Sequence, residues 1–393
     1  MNIELTLNPI LPAFSPIIRE IIRNTLTDLD FGISGQPLRI NAGSTKMSPN
    51  EYMEKYIDSF KLEIPYAGKT LEWEVIFQEE DFAYAPDFNF INDSFLSDPD
   101  VNVINDHVPS LSKWNVADNK CFNRVIREFL VLYKELQLLK FQTETCYSRL
   151  SSEYDDLLKN SSLSNTDVEL YIDTAGAVHI LMPILVDFTC IPPYVQEQKG
   201  SGECLNPHKD IAKLKISFSK PEYSKIQSTL QLTPRLEQVI GSATNLRIPV
   251  YKKDTTLSAY VTEITKLLKN RVTFLADHYR MKNDFITTLI AECGLNIVEY
   301  DNILFSKATL LFNVNEVYAL VIICLGDKFP QEKPKLTLNS IYYLKNDKPY
   351  SQILDAYPYS PRWKCDEIIK RLLIYLQEQI PKFHAVAQQN FSI

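Results

Sequence analysis

The feature that most constrains the fold of this chain is an ordered set of elements that occurs twice. Each copy reads as two alternating apolar stretches, a phenylalanine, a proline with a third alternating stretch, a tryptophan and a helix. Pro86 lies 28 residues before Trp114, and Pro334 lies 29 residues before Trp363. Because matching order with nearly equal spacing seldom arises by chance, we interpret the two stretches as copies of one α+β unit.

Apolar and polar residues alternate in each copy, as they do in half-buried strands. The first copy predicts a hairpin over 60–64 and 71–77, with Trp73 in the core. The second predicts a hairpin over 305–312 and 317–325. Helical spacing of apolar residues predicts helices at 12–27, 257–268, 272–293 and 368–380.

A third β-rich region lies between the copies. Its predicted strands are 169–173, 178–188, 211–219 and 226–232, interrupted by a polar loop at 196–209. The polar run 160–167 is the best linker in the chain. We therefore predict three domains, which are 1–160 (ending in a long helix), 165–270 and 271–393.

The long helix is predicted at 118–158, where apolar residues keep a spacing of three or four. Neither glycine nor proline occurs from Ser110 through Ala175. A continuous helix of this length would span about 60 Å, which exceeds one small domain. It either breaks near Ser148 or projects to a partner or a neighbouring domain. Contact with a scaffold protein and packing within its own domain are both open.

Charge and glycine content disfavour two classes of function. The net charge is −8, and no basic run is longer than a pair such as Lys252-Lys253. Binding to nucleic acid requires a basic face, so we expect no nucleic-acid partner. Phosphate-binding loops require glycines, and the chain has only 10, which disfavours a nucleotide-binding enzyme.

The cysteines and the apolar runs suggest a soluble protein in the cytoplasm and nucleus. Seven cysteines are scattered and none forms a C-x-x-C pair, which is typical of reduced intracellular thiols. The longest apolar run, 317–325, is far shorter than the roughly 20 residues of a membrane helix. No basic and apolar leader follows Met1, so we expect no signal peptide. We also expect neither contact with a membrane nor a cofactor.

Three short motifs resemble catalytic or metal-binding signatures but lack their required partners. Asp173-Thr174-Ala175-Gly176 resembles a GTPase switch, yet no phosphate-binding loop accompanies it, so a hairpin turn is predicted. The G-x-G at 200–202 has no third glycine. Cys204 and His208 are spaced like half of a zinc site without a second half, so we predict no metal site.

The repeated unit resembles the ubiquitin-conjugating-enzyme fold, which has a helix, a four-stranded meander, a proline-rich flap and C-terminal helices. Pro65-Tyr66-Ala67-Gly68-Lys69 is similar to that family's P-Y-x-G-G hairpin, with Lys69 replacing the second glycine. Active members carry a catalytic cysteine after the flap and an H-P-N tripeptide. Here no H-P-N occurs, and the first cysteines after the flaps, Cys121 and Cys365, follow the tryptophans. The resemblance therefore implies inactive variants (UEV or RWD-like units).

The order of units and the string Tyr-Pro-Tyr-Ser-Pro-Arg-Trp at 357–363 also resemble the BRE (brain and reproductive organ-expressed) family over nearly the whole chain. That family comprises tandem-UEV subunits of the BRISC and nuclear A deubiquitinase complexes. The resemblance implies a non-catalytic scaffold in a lysine-63-specific assembly. It implies as partners a JAMM-type zinc deubiquitinase, an Abraxas-type MPN scaffold, a small von Willebrand-A-like adaptor with a proline-rich tail, and ubiquitin as a further candidate.

The C-terminal unit is the predicted contact for the adaptor, because extended proline-rich peptides bind against aromatic walls. The candidate binding residues are Tyr357, Tyr359, Pro361 and Trp363. The alternative is that this aromatic-proline string simply packs its own segment onto the sheet.

Three functions therefore remain open at this stage. The first is the non-catalytic scaffold. The second is a stand-alone module that binds ubiquitin or proline-rich peptides. The third is an active conjugating enzyme that uses Cys121 or Cys365, since a helix N-terminus can lower the pKa of a thiol.

Overall fold

The computed structural model describes residues 10–29, 31–41, 56–78, 81–90, 95–96, 100–191, 210–219, 225–241, 246–252 and 254–391. Helices and three antiparallel sheets confirm the predicted α+β class. The chain divides into two compact units, the first comprising Met1–Leu185, Ile211–Thr233 and Ala243–Thr265, the second Val186–Asp210, Pro234–Ser242 and Lys266–Ile393. One sheet lies within each of the three predicted domains, whose boundaries stay a prediction.

A 3-10 turn at Leu11–Ala13 precedes helix α1 (Pro16–Thr27) of the first unit, and Ser15 occupies the N-cap position of α1. A meander follows, in which each strand pairs with the next. Its strands are β1 (Arg39–Asn41), β2 (Ser59–Tyr66), β3 (Lys69–Ile76) and β4 (Asp87–Phe90). The sequence did not predict β1, because three residues at the edge of a sheet carry too little periodicity to detect.

A two-residue turn forms the hairpin between β2 and β3. Ala67 and Gly68 have φ angles of 46° and 70°, and turns with positive φ at both central positions match the twist of antiparallel strands. The predicted hairpin is confirmed. Trp73 of β3 is only 2% exposed and packs edge-on against Phe90 and Phe129, with centroid distances of 5.2 and 6.1 Å, which confirms its place in the core.

The predicted long helix is broken into two. After the short helices α2 (Val101–His107) and α3 (Pro109–Ser112) come α4 (Cys121–Thr143) and α5 (Ser148–Asn160). Glu144 is extended, and a 3-10 turn at Thr145–Tyr147 leads into α5. The ring of Phe141 packs against those of Tyr147 and Tyr154, with centroids 5.8 and 5.9 Å apart. This buried aromatic cluster stabilises the bend without glycine or proline.

The second sheet is also a meander, formed by β5 (Glu169–Ile172), β6 (Val178–Ile184), β7 (Ala212–Ser219) and β8 (Lys225–Leu232). All four predicted strands are present. The predicted turn is confirmed as well, because the N–H of Gly176 donates to the carbonyl of Asp173 between β5 and β6. The G-x-G motif, Cys204 and His208 lie outside the described residues.

A buried carboxylate joins the first two sheets. Glu169, 4% exposed at the start of β5, accepts hydrogen bonds from the N–H groups of Ile33 (2.6 Å) and Ala67 (2.7 Å). Gly32 is required beside it, since a Cβ there would lie 2.6 Å from Oε1 of Glu169. Burial raises the pKa of the Glu169 carboxyl, while the two N–H donors and the ammonium groups of Lys134 and Lys213 act in the opposite direction.

Two lysines of β7 reach the same region from the second sheet. Lys213 donates to the carbonyl of Ser34 (2.6 Å), and Lys215 donates to the carbonyl of Gly68 (2.5 Å) in the hairpin turn. Together with Glu169 they attach the β2–β3 turn and the 32–36 loop to the second sheet. Because buried ionic groups are stable only when hydrogen-bonded, this register between the sheets is strongly specified.

The second unit contains α6 (Pro234–Ile240), most of α7 (Leu257–Cys293), a five-stranded sheet and α8 (Cys365–Phe391). The prediction of two helices at 257–268 and 272–293 was wrong, because α7 is continuous over 37 residues. The intervening Lys269-Asn270-Arg271 contains no helix-breaking residue. The guanidinium of Arg271 donates a hydrogen bond to the carbonyl of Ile240.

The third sheet runs in the order β13-β12-β11-β10-β9. Its strands are β9 (Ile297–Tyr300), β10 (Lys307–Val314), β11 (Val317–Cys324), β12 (Lys335–Lys345) and β13 (Lys348–Leu354). The predicted β10–β11 hairpin is confirmed. The sequence did not predict the edge strands β9 and β13, because their side chains are largely exposed and lack apolar alternation.

The raised pKa of Glu169 predicts a specific dependence of stability on pH. Because folding favours the protonated carboxyl, its contribution is fully present below the unfolded pKa near 4.5 and is lost as pH rises through the folded pKa. In urea unfolding, the wild type should lose up to about 1.4 kcal/mol per pH unit across that window relative to Glu169→Gln. The control Glu135→Gln, at an exposed position, should keep the wild-type profile. Identical profiles for wild type and Glu169→Gln would contradict the assignment.

Candidate functional site

The predicted binding residues lie on one segment of the second unit, between β13 and α8. Tyr357, Tyr359, Pro361 and Trp363 are therefore close in space, but they differ in exposure. Tyr357 is buried at 6% exposure, and its hydroxyl donates to the carbonyl of Pro334. Its ring also contacts Tyr375 of α8, with centroids 6.1 Å apart. Tyr357 thus belongs to the core of the unit.

Tyr359 is half-buried and fastens the flap, which is the segment Phe329–Pro334 before β12. Its hydroxyl donates to the carbonyl of Pro330 at 2.5 Å. Lys333 of the flap donates to the carbonyl of Asp355, and its Nζ lies 5.2 Å from the centroid of the Tyr357 ring. Two tyrosine hydroxyls and one ammonium group therefore attach the flap to the segment that follows β13.

Both tyrosines remain neutral donors over the physiological pH range. Burial raises the pKa of the Tyr359 hydroxyl to about 12, with a further contribution from Cys365. Burial also raises the pKa of Tyr357, helped by the nearby Tyr359 and Asp355. Since a phenolate cannot donate a hydrogen bond, these shifts extend the attachment of the flap to more alkaline pH than ordinary tyrosines would allow.

Pro361 and Trp363 are the members of the set that a partner can reach. Pro361 is exposed and Trp363 is half-buried. The guanidinium of Arg371, from the second turn of α8, lies 4.2 Å from the centroid of the Trp363 ring. A cation in this position fixes the orientation of the ring through a cation–π contact. The exposed remainder is a proline beside a fixed indole, which is suited to an extended apolar peptide.

The first unit has a comparable attachment made by a different residue. The indole N–H of Trp114 donates to the carbonyl of Ala83 at 3.1 Å. The same ring contacts Phe77 and Phe122, with centroids 6.3 and 6.4 Å away. In the first unit the tryptophan holds the stretch before β4, whereas in the second unit the tyrosines hold the flap and the tryptophan faces outward to Arg371.

The two cysteines at helix starts are poor nucleophiles. Cys121 begins α4 and is 1% exposed, and burial raises the pKa of its thiol to about 11. Burial also raises the pKa of Cys365 at the start of α8, with further contributions from Asp284 and Asp366. The hypothesis that the helix N-termini lower these pKa values was wrong, because desolvation exceeds the effect of the backbone N–H groups.

Among the residues that the structure describes, no group of three or more His, Cys, Asp or Glu is arranged to hold a metal ion. None of the helices described is both long and apolar enough to cross a bilayer.

Sequence reasoning missed one concave surface. A groove of about 850 Å³ lies in the second unit between α7 and the 327–331 stretch. Its residues Phe274, His278 and Lys282 follow one another at i, i+4 spacing on α7. That spacing was visible in the sequence, but a stripe of mixed character on a helix does not by itself distinguish a groove from an ordinary surface.

The family of the chain is shown by comparison with known proteins. The family model described as "Brain and reproductive organ-expressed protein (BRE)" matches residues 8–344. A protein of Danio rerio named "BRISC and BRCA1-A complex member 2" is 32% identical over 394 residues, covering 98% of each chain. A protein of the same name from Branchiostoma floridae is 29% identical over 385 residues, covering 96% of this chain and 97% of its own. The chain belongs to the BRE family.

Removing the hydroxyl of Tyr359 should loosen the flap. Tyr359→Phe deletes one hydrogen bond to a carbonyl, so we expect a loss of about 1 kcal/mol in unfolding free energy and roughly fivefold faster local exchange of the flap amides. Hydrogen exchange followed by mass spectrometry measures both the site and the size of the effect. Tyr300→Phe, on a ring that is 44% exposed, is the control. Unchanged exchange in the flap would show that the hydroxyl does not hold it.

The thiols should differ in reactivity in the native protein. Cys146 is exposed, whereas Cys121 is buried with a raised pKa. With iodoacetamide at pH 7.5, we expect Cys146 to be alkylated at least about tenfold faster than Cys121, because only the thiolate reacts. Time-resolved mass spectrometry of tryptic peptides gives both rates. Faster labelling of Cys121 would contradict the assignment of an inert, buried thiol.

Proposed function

We propose that this chain is a non-catalytic scaffold subunit of a multiprotein deubiquitinase complex of the BRISC and BRCA1-A kind. The observation that carries the proposal is similarity along almost the full length to proteins named as members of those complexes. The matches cover 96–98% of this chain and of the relatives. We expect their role in the assembly to extend to this chain.

Two properties that both units share, their order of elements and the raised pKa of their thiols, support a role in binding and not in catalysis. In each unit a helix precedes an antiparallel meander, and a tryptophan precedes the following helix. We propose that both are UEV-like copies of one unit. In both, the first cysteine after the flap is a desolvated thiol with a raised pKa. Such thiols do not support the attack that thioester formation requires.

The partners in this proposal are those that the family resemblance implies. They are a JAMM-type zinc deubiquitinase specific for lysine-63-linked chains, an Abraxas-type MPN scaffold and a von Willebrand-A-like adaptor. We propose that the proline-rich tail of the adaptor contacts Pro361 and Trp363, with Tyr357 and Tyr359 holding that surface in place. The cytoplasm and the nucleus are the proposed locations.

Reconstitution tests the proposal directly. The full chain, co-expressed with the three subunits, should co-elute with them in size-exclusion chromatography, and the assembly should cleave lysine-63-linked diubiquitin. Pro361→Ala and Trp363→Ala should weaken binding of the adaptor about tenfold, as expected for contacts at the centre of an interface. Tyr84→Ala, at a 60% exposed ring of the first unit, is the matched control.

The outcomes separate the proposal from its alternatives. Elution of the folded chain apart from all three subunits would overturn the scaffold role. Tight binding of ubiquitin by the isolated chain, without assembly, would favour the stand-alone binding module. A reducible ubiquitin adduct on Cys121 or Cys365 after incubation with activating enzyme and ATP would favour an active conjugating enzyme.

A further inference from the structure

The groove beside α7 has a surface that differs from the aromatic segment at 357–363. It is formed by one face of α7, the end of α6, the loop before β10 and the 327–331 stretch, all within the second unit. Its volume of about 850 Å³ lies within the usual range of ligand clefts. It offers room for a short peptide segment.

Large apolar side chains form the base of the groove. Phe274 is 48% exposed, and its ring centroid lies 4.0 Å from that of His278. Leu304, 38% exposed, lines the groove from the loop before β10. The hydroxyl of Tyr279 donates to the carbonyl of Ile303 at 3.0 Å and so fixes this loop beside the helix. The apolar base is therefore held in place before any ligand arrives.

The charged groups around this base are mainly cationic. The guanidinium of Arg271 lies 5.5 Å from the centroid of Phe274, and Lys282 and Lys328 lie further along. Among the lining residues that the structure describes, Asp327 is the one carboxylate. Glu332, beside the groove, pairs with Lys328 at 3.0 Å. The chain as a whole has a net charge of −8, so an excess of cations at a concave apolar surface is a local reversal of the overall charge.

The pair formed by Lys282 and Asp327 can be exchanged for a pair with a ligand. The side chain of Lys282 is only 13% exposed, but its Nζ is 3.8 Å from Oδ1 of Asp327, near the limit for an ion pair. The side chain of Asp327 is fully exposed, so its carboxylate loses little on returning to water. A carboxylate from a ligand seated in the groove would meet a lysine whose side chain is already mostly buried, where the attraction is stronger than at an open surface.

We propose that this groove binds an acidic segment of a partner protein that carries a large apolar side chain between its carboxylates. The apolar side chain covers Phe274 and Leu304, and the carboxylates pair with Lys282 and Lys328. This inference goes beyond the proposed function, because it concerns another surface and another ligand chemistry than the proline-rich tail. It can be tested on the isolated full chain, so it does not depend on assembly of the complex.

The base of the groove favours a peptide over other anions. A phosphate or a nucleic-acid backbone would satisfy the lysines, but it would leave the exposed rings and the leucine in contact with water. Burying an apolar side chain there adds binding free energy in proportion to the area covered. The peptide is therefore the ligand class that uses both parts of the surface.

The experiment selects peptides from a random twelve-residue display library on the immobilised full chain and measures their affinity by fluorescence anisotropy. We expect a consensus with at least two acidic residues flanking a leucine, phenylalanine or similar residue. Replacing the acidic residues of the peptide by amides, or its apolar residue by serine, should each weaken binding about tenfold.

Variants of the chain locate the binding site. Lys282→Glu and Phe274→Ala should weaken binding of the selected peptides about tenfold. Lys328→Glu, at a side chain that is 75% exposed, should act in the same direction and provides a second test should Lys282→Glu fail to fold. Lys345→Glu, an exposed lysine of the same unit, is the matched control and should change the affinity less than about twofold.

Three results would overturn the proposal. The first is a selection that yields no acidic consensus. The second is an acidic peptide whose affinity is the same for the wild type, Lys328→Glu and Phe274→Ala. The third is equal competition by a twelve-nucleotide oligouridylate, which would identify a general anion site without use of the apolar base. Thermal unfolding of each variant confirms that it is folded before its affinity is compared.

Discussion

In both units, a helix that follows a tryptophan must cover the apolar face of the preceding sheet, and much of the remaining structure follows from this constraint. Phe129 of α4 contacts Trp73 and Phe88, and Phe122 contacts Phe77. In the second unit, buried Ile369, Leu372 and Leu376 of α8 belong to the same core as Val321 and Leu338 of the sheet. The chain has to travel from the last strand to the start of this helix. It does so along an aromatic-rich connection that is itself attached to the stretch before the fourth strand of the sheet, which is β4 in the first unit and β12 in the second.

This attachment determines which aromatic residues are available for binding. In the second unit the hydroxyls of Tyr357 and Tyr359 are used to hold the flap, and Pro361 and Trp363 remain accessible. The two interpretations of the 357–363 string are therefore compatible, because its first half packs the segment and its second half can contact a partner. In the first unit, Trp114 has the role of the flap-holding tyrosines. A binding surface at the equivalent position of the first unit would need other residues.

The secondary structure was largely predictable because its signals are local. Alternation of apolar residues predicted the hairpins of the first and third sheets and all strands of the second, and i, i+3 and i, i+4 spacing predicted α1 and α8. The sequence left a break near Ser148 open for the long helix, and the packing of Phe141 against Tyr147 and Tyr154 produces that break at Glu144. The edge strands β1, β9 and β13 were missed because each exists only where a neighbouring strand offers hydrogen bonds.

The sequence alone determined the α+β class, the order of the elements and the absence of the motifs on which known cysteine-dependent conjugation relies. It also indicated the family, because a resemblance over nearly the whole length of the chain can be recognised without a structure. The tertiary structure decided what individual side chains do. It placed Glu169 beside two backbone N–H groups, one from the 32–36 loop and one from the β2–β3 turn, desolvated Cys121 and Cys365, and brought Lys282 to a groove with Leu304. The physical reason is that periodicity reports which face of an element is apolar, whereas burial, pKa and accessibility depend on which distant element covers that face.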